Sequence, residues 1–173
     1  MQTNHDAEKA FNDLPLGHPF RFHHRAEPVI AVKAGFPGGD QGALVLTPTK
    51  AGLRPGNILS AFDVGPKVVE LHGVSIVPST RPGSVTPGAG HFATPAEIEL
   101  LDDGLIFVTT PQDGTPLRVD VKSGIIGRPT GERPTEIYSE WSVVRAKGDK
   151  SETLYEHKPS PPDDTGSIVV TLE

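Results

Sequence analysis

The stretch Glu97-Ile-Glu-Leu-Leu-Asp102-Asp103-Gly104-Leu-Ile-Phe-Val-Thr-Thr110-Pro-Gln-Asp113-Gly114-Thr-Pro116-Leu-Arg-Val-Asp-Val-Lys122 decides the fold. Two Asp-Gly pairs separate three short runs of strand-forming residues, a strong hairpin signal. Leu105-Ile106-Phe107-Val108 is continuously apolar and reads as a strand covered on both faces. Leu117, Val119 and Val121 alternate with Arg118, Asp120 and Lys122, so the next strand has one wet face. The unit is therefore an antiparallel meander.

Working outward, the same pattern recurs. Pro28–Ala34, Ala43–Thr47, Asn57–Val64 and Lys67–Val77 read as strands on the N-terminal side. Glu136–Lys147, Glu152–His157 and Ser167–Leu172 read as strands on the C-terminal side. Within Lys67–Val77 the apolar face changes parity at Gly73, which predicts a β-bulge there. Ala7, Ala10, Phe11 and Leu14 have helical spacing, so a short helix is expected before Pro15. These readings predict an all-β chain: a single-domain β-sandwich or jelly-roll-like barrel of nine or ten strands with a short N-terminal helix. Residues 1–26 read as an N-terminal arm carrying that helix, and 27–173 as the β-sandwich domain.

The chain has 173 residues, with 19 glycines and 18 prolines that serve as turn punctuation between strands. Only 35% of it is hydrophobic, a thin supply for a core. Residues 1–96 hold 8 basic and 7 acidic residues, whereas 97–173 hold 8 and 15, so the net charge of −6 comes from the second part. That field disfavours nucleic acid as a partner, since phosphate binding needs clustered Lys and Arg. No apolar stretch is long enough for a membrane helix, and the polar N-terminus does not read as a secretory signal. With no cysteine, thiolate chemistry and Cys-based zinc sites are excluded, and no cofactor is expected.

No catalytic motif names a reaction. His18, His23 and His24 are close in sequence, but adjacent residues of a strand point to opposite faces. Phe20 and Phe22, flanked by Arg21 and Arg25, suggest instead a surface or interface strand. His91, Glu97 and Glu99 weakly resemble the metal motif of the cupins, in which two histidines one residue apart precede a glutamate. Ala93 stands where the second histidine belongs, so no cupin function is carried over. Asp102-Asp103 and Asp163-Asp164 are explained by turns. Trp141 reads as core, and Tyr138 with Tyr155 would make a small sugar-stacking platform only if paired across a hairpin.

The thin core, the Pro-rich loop 78–95 and a helix too short to stand alone favour a protein that lives among neighbours. The expected function is a structural assembly protein, such as a phage capsid-decoration (cement) or tail subunit, found in the virion or in host cytoplasm during assembly. Its partners would be copies of itself and a neighbouring assembly subunit, with no nucleic acid and no membrane. Expected interface residues are Ala7, Ala10, Phe11, Leu14, Phe20, Phe22, Arg81, Val85 and Phe92. The alternatives are a carbohydrate- or ligand-binding sandwich, and a metal-dependent β-fold enzyme using His91, Glu97 and Glu99.

Overall fold

The structure, a computed structural model, describes residues 6–36, 38–91, 93–102, 104–109, 116–127 and 132–159. The described residues form fifteen strands in chain order: β1 (Ala7–Ala10), β2 (Pro19–His24), β3 (Glu27–Gly35), β4 (Gln41–Val45), β5 (Ile58–Ser60), β6 (Lys67–Glu70), β7 (Val74–Pro78), β8 (Val85–Pro87), β9 (Ile98–Leu101), β10 (Gly104–Val108), β11 (Arg118–Asp120), β12 (Ile126–Gly127), β13 (Glu136–Tyr138), β14 (Trp141–Lys147) and β15 (Lys150–His157). A 3-10 turn at Phe11–Asp13 and one helical turn, α1 (Ala61–Val64), complete the elements.

The strands make three antiparallel sheets. The first runs β1-β6-β2-β3-β4-β5, the second β12-β11-β10-β9-β13-β8, and the third β15-β14-β7. Among the described residues each sheet has two ends to its strand order, consistent with an all-β sandwich. The meander that opened the reading is β9-β10-β11, with Phe107 opposite both Ile98 and Val119.

β3 shows why the fold closes. Its alternate residues Val32 and Ala34 enter a core shared by all three sheets, with Phe107 and Ile98 from the second and Trp141 and Ile76 from the third. Val29 and Ala31, on the opposite face, join Phe11, Phe20, Phe22 and Val68 in a second core. The first sheet is thus covered on both faces, and the near-continuous apolar run of β3 follows from that. Trp141 is 1% exposed and donates its indole N–H to the Ala96 carbonyl at 2.8 Å. Replacing such a ring with alanine costs roughly 3–5 kcal/mol.

Three expectations are corrected. Residues 6–14 are not one helix: Ala7–Ala10 pair with β6 as a strand, Phe11–Asp13 keep only a single 3-10 turn, and Phe11 and Leu14 turn inward. Gly73 is not a bulge within one strand. It adopts φ +66° and carries the chain from β6 in the first sheet to β7 in the third. The strand read at Asn57–Val64 stops at Ser60, because Ser60 and Asp63 form a reciprocal capping box that starts α1. The region read as an arm supplies two strands of the first sheet, with β2 between β6 and β3. The strand read at Ser167–Leu172 lies outside the described residues.

Candidate functional site

Three backbone segments meet at one end of the first sheet, and glycine permits the meeting. The Gly17 amide donates to the Lys33 carbonyl at 2.9 Å, and the Gly35 amide to the Gly124 carbonyl at 2.9 Å. Gly35 also forms a parallel bridge with Ile125. A β-carbon on Gly17 would run into the Lys122 carbonyl, and one on Gly124 would strike the Gly17 amide and the Lys33 carbonyl. Both glycines have positive φ, +77° and +70°.

The side chains flanking this glycine knot are apolar and exposed. Leu16 lies against Gly35, Phe36 follows Gly35, and Ile125 bridges to it. They are 38%, 37% and 52% exposed. Ser60 pairs with Gly42, which pairs with Ala34, so α1 begins at the same end of the sheet. Its Phe62 is 94% exposed. Of the five large exposed hydrophobics among the described residues, only Val77 lies elsewhere. Isolated exposed apolar residues are ordinary on a protein surface; here Leu16, Phe36 and Ile125 gather at Gly35, and Phe62 follows Ser60 two strands across the same sheet end.

A buried lysine stiffens the neighbouring turn. Lys33, 1% exposed, donates its Nζ to the carbonyls of Phe11, Asn12 and Leu14 at 2.9, 3.0 and 2.7 Å. The ammonium lies 5.0 Å from the centre of the Phe11 ring. Burial pushes its pKa down from the ordinary lysine value, and Asp13 opposes that shift. The three acceptors fix residues 11–14, and so the approach of Leu16.

Four of the nine expected interface residues come together, but in the interior rather than on a surface. Phe11, Leu14, Phe20 and Phe22 are buried in the chain's own second core, which supplies the partner their exposure would have required. Ala7 and Ala10 are exposed on edge strand β1. Arg81 is exposed and faces Glu156 at 3.3 Å and Glu140 at 3.9 Å. Val85 is half-buried on β8 opposite Tyr138. Phe92 lies outside the described residues. Much of loop 78–95 is held by its own chain: Ser84 Oγ donates to the Ser79 and Arg81 carbonyls, and Gly88 presses on Pro134.

The other candidates are likewise dispersed. His91 is exposed, Glu97 accepts from the Thr94 amide, and buried Glu99 is taken by Arg118, whose Nη2 donates at 2.9 Å and whose Nε lies at 2.7 Å. His18 and His72 flank the carboxylate of Glu70 at 3.2 and 3.5 Å, with Lys9 at 2.6 Å. The Lys9 hydrogen bond leads the cations that hold Glu70 below the usual carboxylate range, against its burial. Among the described residues no group of three or more His, Cys, Asp and Glu could hold a metal ion, and no helix is long and apolar enough to cross a membrane. Tyr138 pairs with Ile98 and Val85, and Tyr155 with Val143, so the two tyrosines form no platform. His157 stacks on Trp141 instead, at 4.9 Å and 22°.

Sequence reading missed Leu16, Phe36, Phe62 and Ile125. A signal was present: three of the four adjoin a glycine of the knot, and Phe62 sits inside the Ser60–Asp63 capping box. Set against models of known protein families, curated proteins and solved structures, the chain matches none.

Proposed function

We propose that this chain is a structural assembly subunit, a stiff all-β block that joins copies of itself or a neighbouring protein through the apolar end of its first sheet. One observation carries the reading: Leu16, Phe36, Phe62 and Ile125 are held in water at that one end. Because the backbone beneath them is fixed by the glycine knot and the capping box, little ordering entropy opposes their docking. A specific interface covers about 800 Å² on each partner, and a few apolar anchors at its centre carry most of the energy. These four side chains supply such a centre.

Within this class we favour a virion component, such as a phage capsid-decoration or tail subunit. The acidic second part of the chain supports a protein partner over nucleic acid. The test is the mass of the purified chain by light scattering across a concentration series. An assembly subunit gives a mass that rises to a multiple of 18.4 kDa. A constant monomer mass, with no partner retained in pull-downs through this face, contradicts the proposal.

A further inference from the structure

A cleft of about 520 Å³ opens where the three sheets meet. Val32 of β3, Val74 of β7 and Leu105 of β10 line it, with Gly17 of the knot and the exposed Ser75 and Lys122. Val32 belongs to the core shared by all three sheets, and Val74 and Leu105 pack against that core. The cleft therefore lies on the face of the first sheet that meets the other two. Its size falls in the range of about 300–1,000 Å³ typical of clefts that bind compact, mostly apolar groups.

The chain carries a side chain suited to such a cleft. Phe62 stands 94% exposed on a single helical turn. A docked aromatic ring buries about 150–250 Å², a large apolar payload for one residue. The Ser60–Asp63 capping box holds the backbone on either side of it, so the ring is presented from a fixed base. Phe62 has no route to the cleft of its own chain. Val64 lies in the second core and Ala61 packs against it, which puts α1 on the opposite face of the first sheet. The sheet stands between ring and cleft.

Charge fits the same pairing. Asp63, the residue after Phe62, is exposed, and the exposed Lys122 borders the cleft. An acidic group beside the ring and a basic group beside the cleft fix the orientation of docking.

We infer that Phe62 of one copy seats in the cleft of a second copy, with Asp63 of the first beside Lys122 of the second. The inference rests on the assembly reading and names its partner, another copy of this chain. Ring and cleft are different surfaces on opposite faces of one sheet, so the contact is head-to-tail. Two engaged copies leave one ring and one cleft free, and the array grows until it closes as a ring or continues as a filament.

Mixing two variants tests it. Phe62→Ser removes the ring, and Ser75→Arg fills the cleft. Both positions are exposed, so both chains should keep the parent's melting temperature. In sedimentation velocity each variant alone should run at 18.4 kDa at concentrations where the parent assembles. Their equimolar mixture should give a complex of twice that mass and nothing larger, because it holds one working ring and one working cleft. Should Ser75→Arg not fold, Lys122→Glu, which sets a like charge beside Asp63, takes its place. A cleft variant that assembles as well as the parent overturns the inference and leaves the assembly reading standing. So does an equimolar mixture that stays monomeric while the parent assembles. A parent that is monomeric at every concentration overturns the inference too, and pull-downs through the apolar end then decide the assembly reading separately.

Discussion

Gly124 lies so close to Gly17 that a β-carbon on Gly124 would collide with the Gly17 amide nitrogen. The same β-carbon would strike the Lys33 carbonyl, and Gly124 holds φ +70°. Neither collision can be relieved by a side chain moving aside, because both partners are backbone. Gly124→Ala should therefore destabilise the fold by roughly 2–4 kcal/mol. Gly127→Ala, where a β-carbon meets nothing within 4 Å, is the control and should cost far less. Urea denaturation of both variants checks this.

Lys33 makes a second prediction. Lys33→Met keeps the length of the side chain but leaves the Asn12 and Leu14 carbonyls without their ammonium donor. The loss should be about 1–3 kcal/mol. Residues 11–14 should loosen first, read as faster proteolysis near Phe11 with the second sheet still intact.

Acid should act through Glu70. Its carboxylate is held below the usual range in the folded chain, chiefly by Lys9, so the unfolded chain takes up this proton at higher pH. The stabilisation is complete above the ordinary carboxylate value near 4.5 and is lost as pH falls through the folded value. Glu70→Gln should destabilise the chain by roughly 1–3 kcal/mol at pH 7 and flatten the pH dependence of stability below about 4.5. An unchanged acid limb would show that other carboxylates carry it.

The single tryptophan gives an optical handle. His157 stacks on Trp141, and burial holds its pKa below the ordinary histidine value, with Glu140 opposing. A protonated imidazole quenches indole emission. Fluorescence should therefore fall with pH through a midpoint below 6.5. The step should vanish in His157→Gln. For stability the sign is the same: the folded chain prefers neutral His157, so this contribution is present above about 6.5 and declines as pH falls.

The parts of the fold readable in the sequence were those set by local signals. The β9–β11 meander follows from Asp-Gly signals, a continuously apolar middle run and the alternation of Leu117, Val119 and Val121, and Trp141 from its place on an apolar strand face. Gly73 was read as a change of parity, but the sequence does not distinguish a bulge from a turn that sends the chain to another sheet. The spacing of Ala7, Ala10, Phe11 and Leu14 is truly helical. It lost to non-local chemistry, because β6 pairs with Ala7–Ala10 and Lys33, about twenty residues away, binds the carbonyls of the turn. The apolar end was hidden for a related reason. Leu16, Phe36 and Ile125 are far apart in sequence and become neighbours only because Gly17, Gly35 and Gly124 let three segments touch.

The central claim is that this apolar end is a contact face, and sedimentation velocity of the purified chain beside a Phe62→Ser, Ile125→Ser double variant tests it most directly. Both residues are exposed, so the variant should unfold at a temperature close to the parent's. The account expects the parent to sediment as a concentration-dependent oligomer and the variant as an 18.4 kDa monomer at the same concentrations. Identical assembly of the two chains would contradict it, as would two monomers where the parent retains no partner in pull-downs that the variant loses.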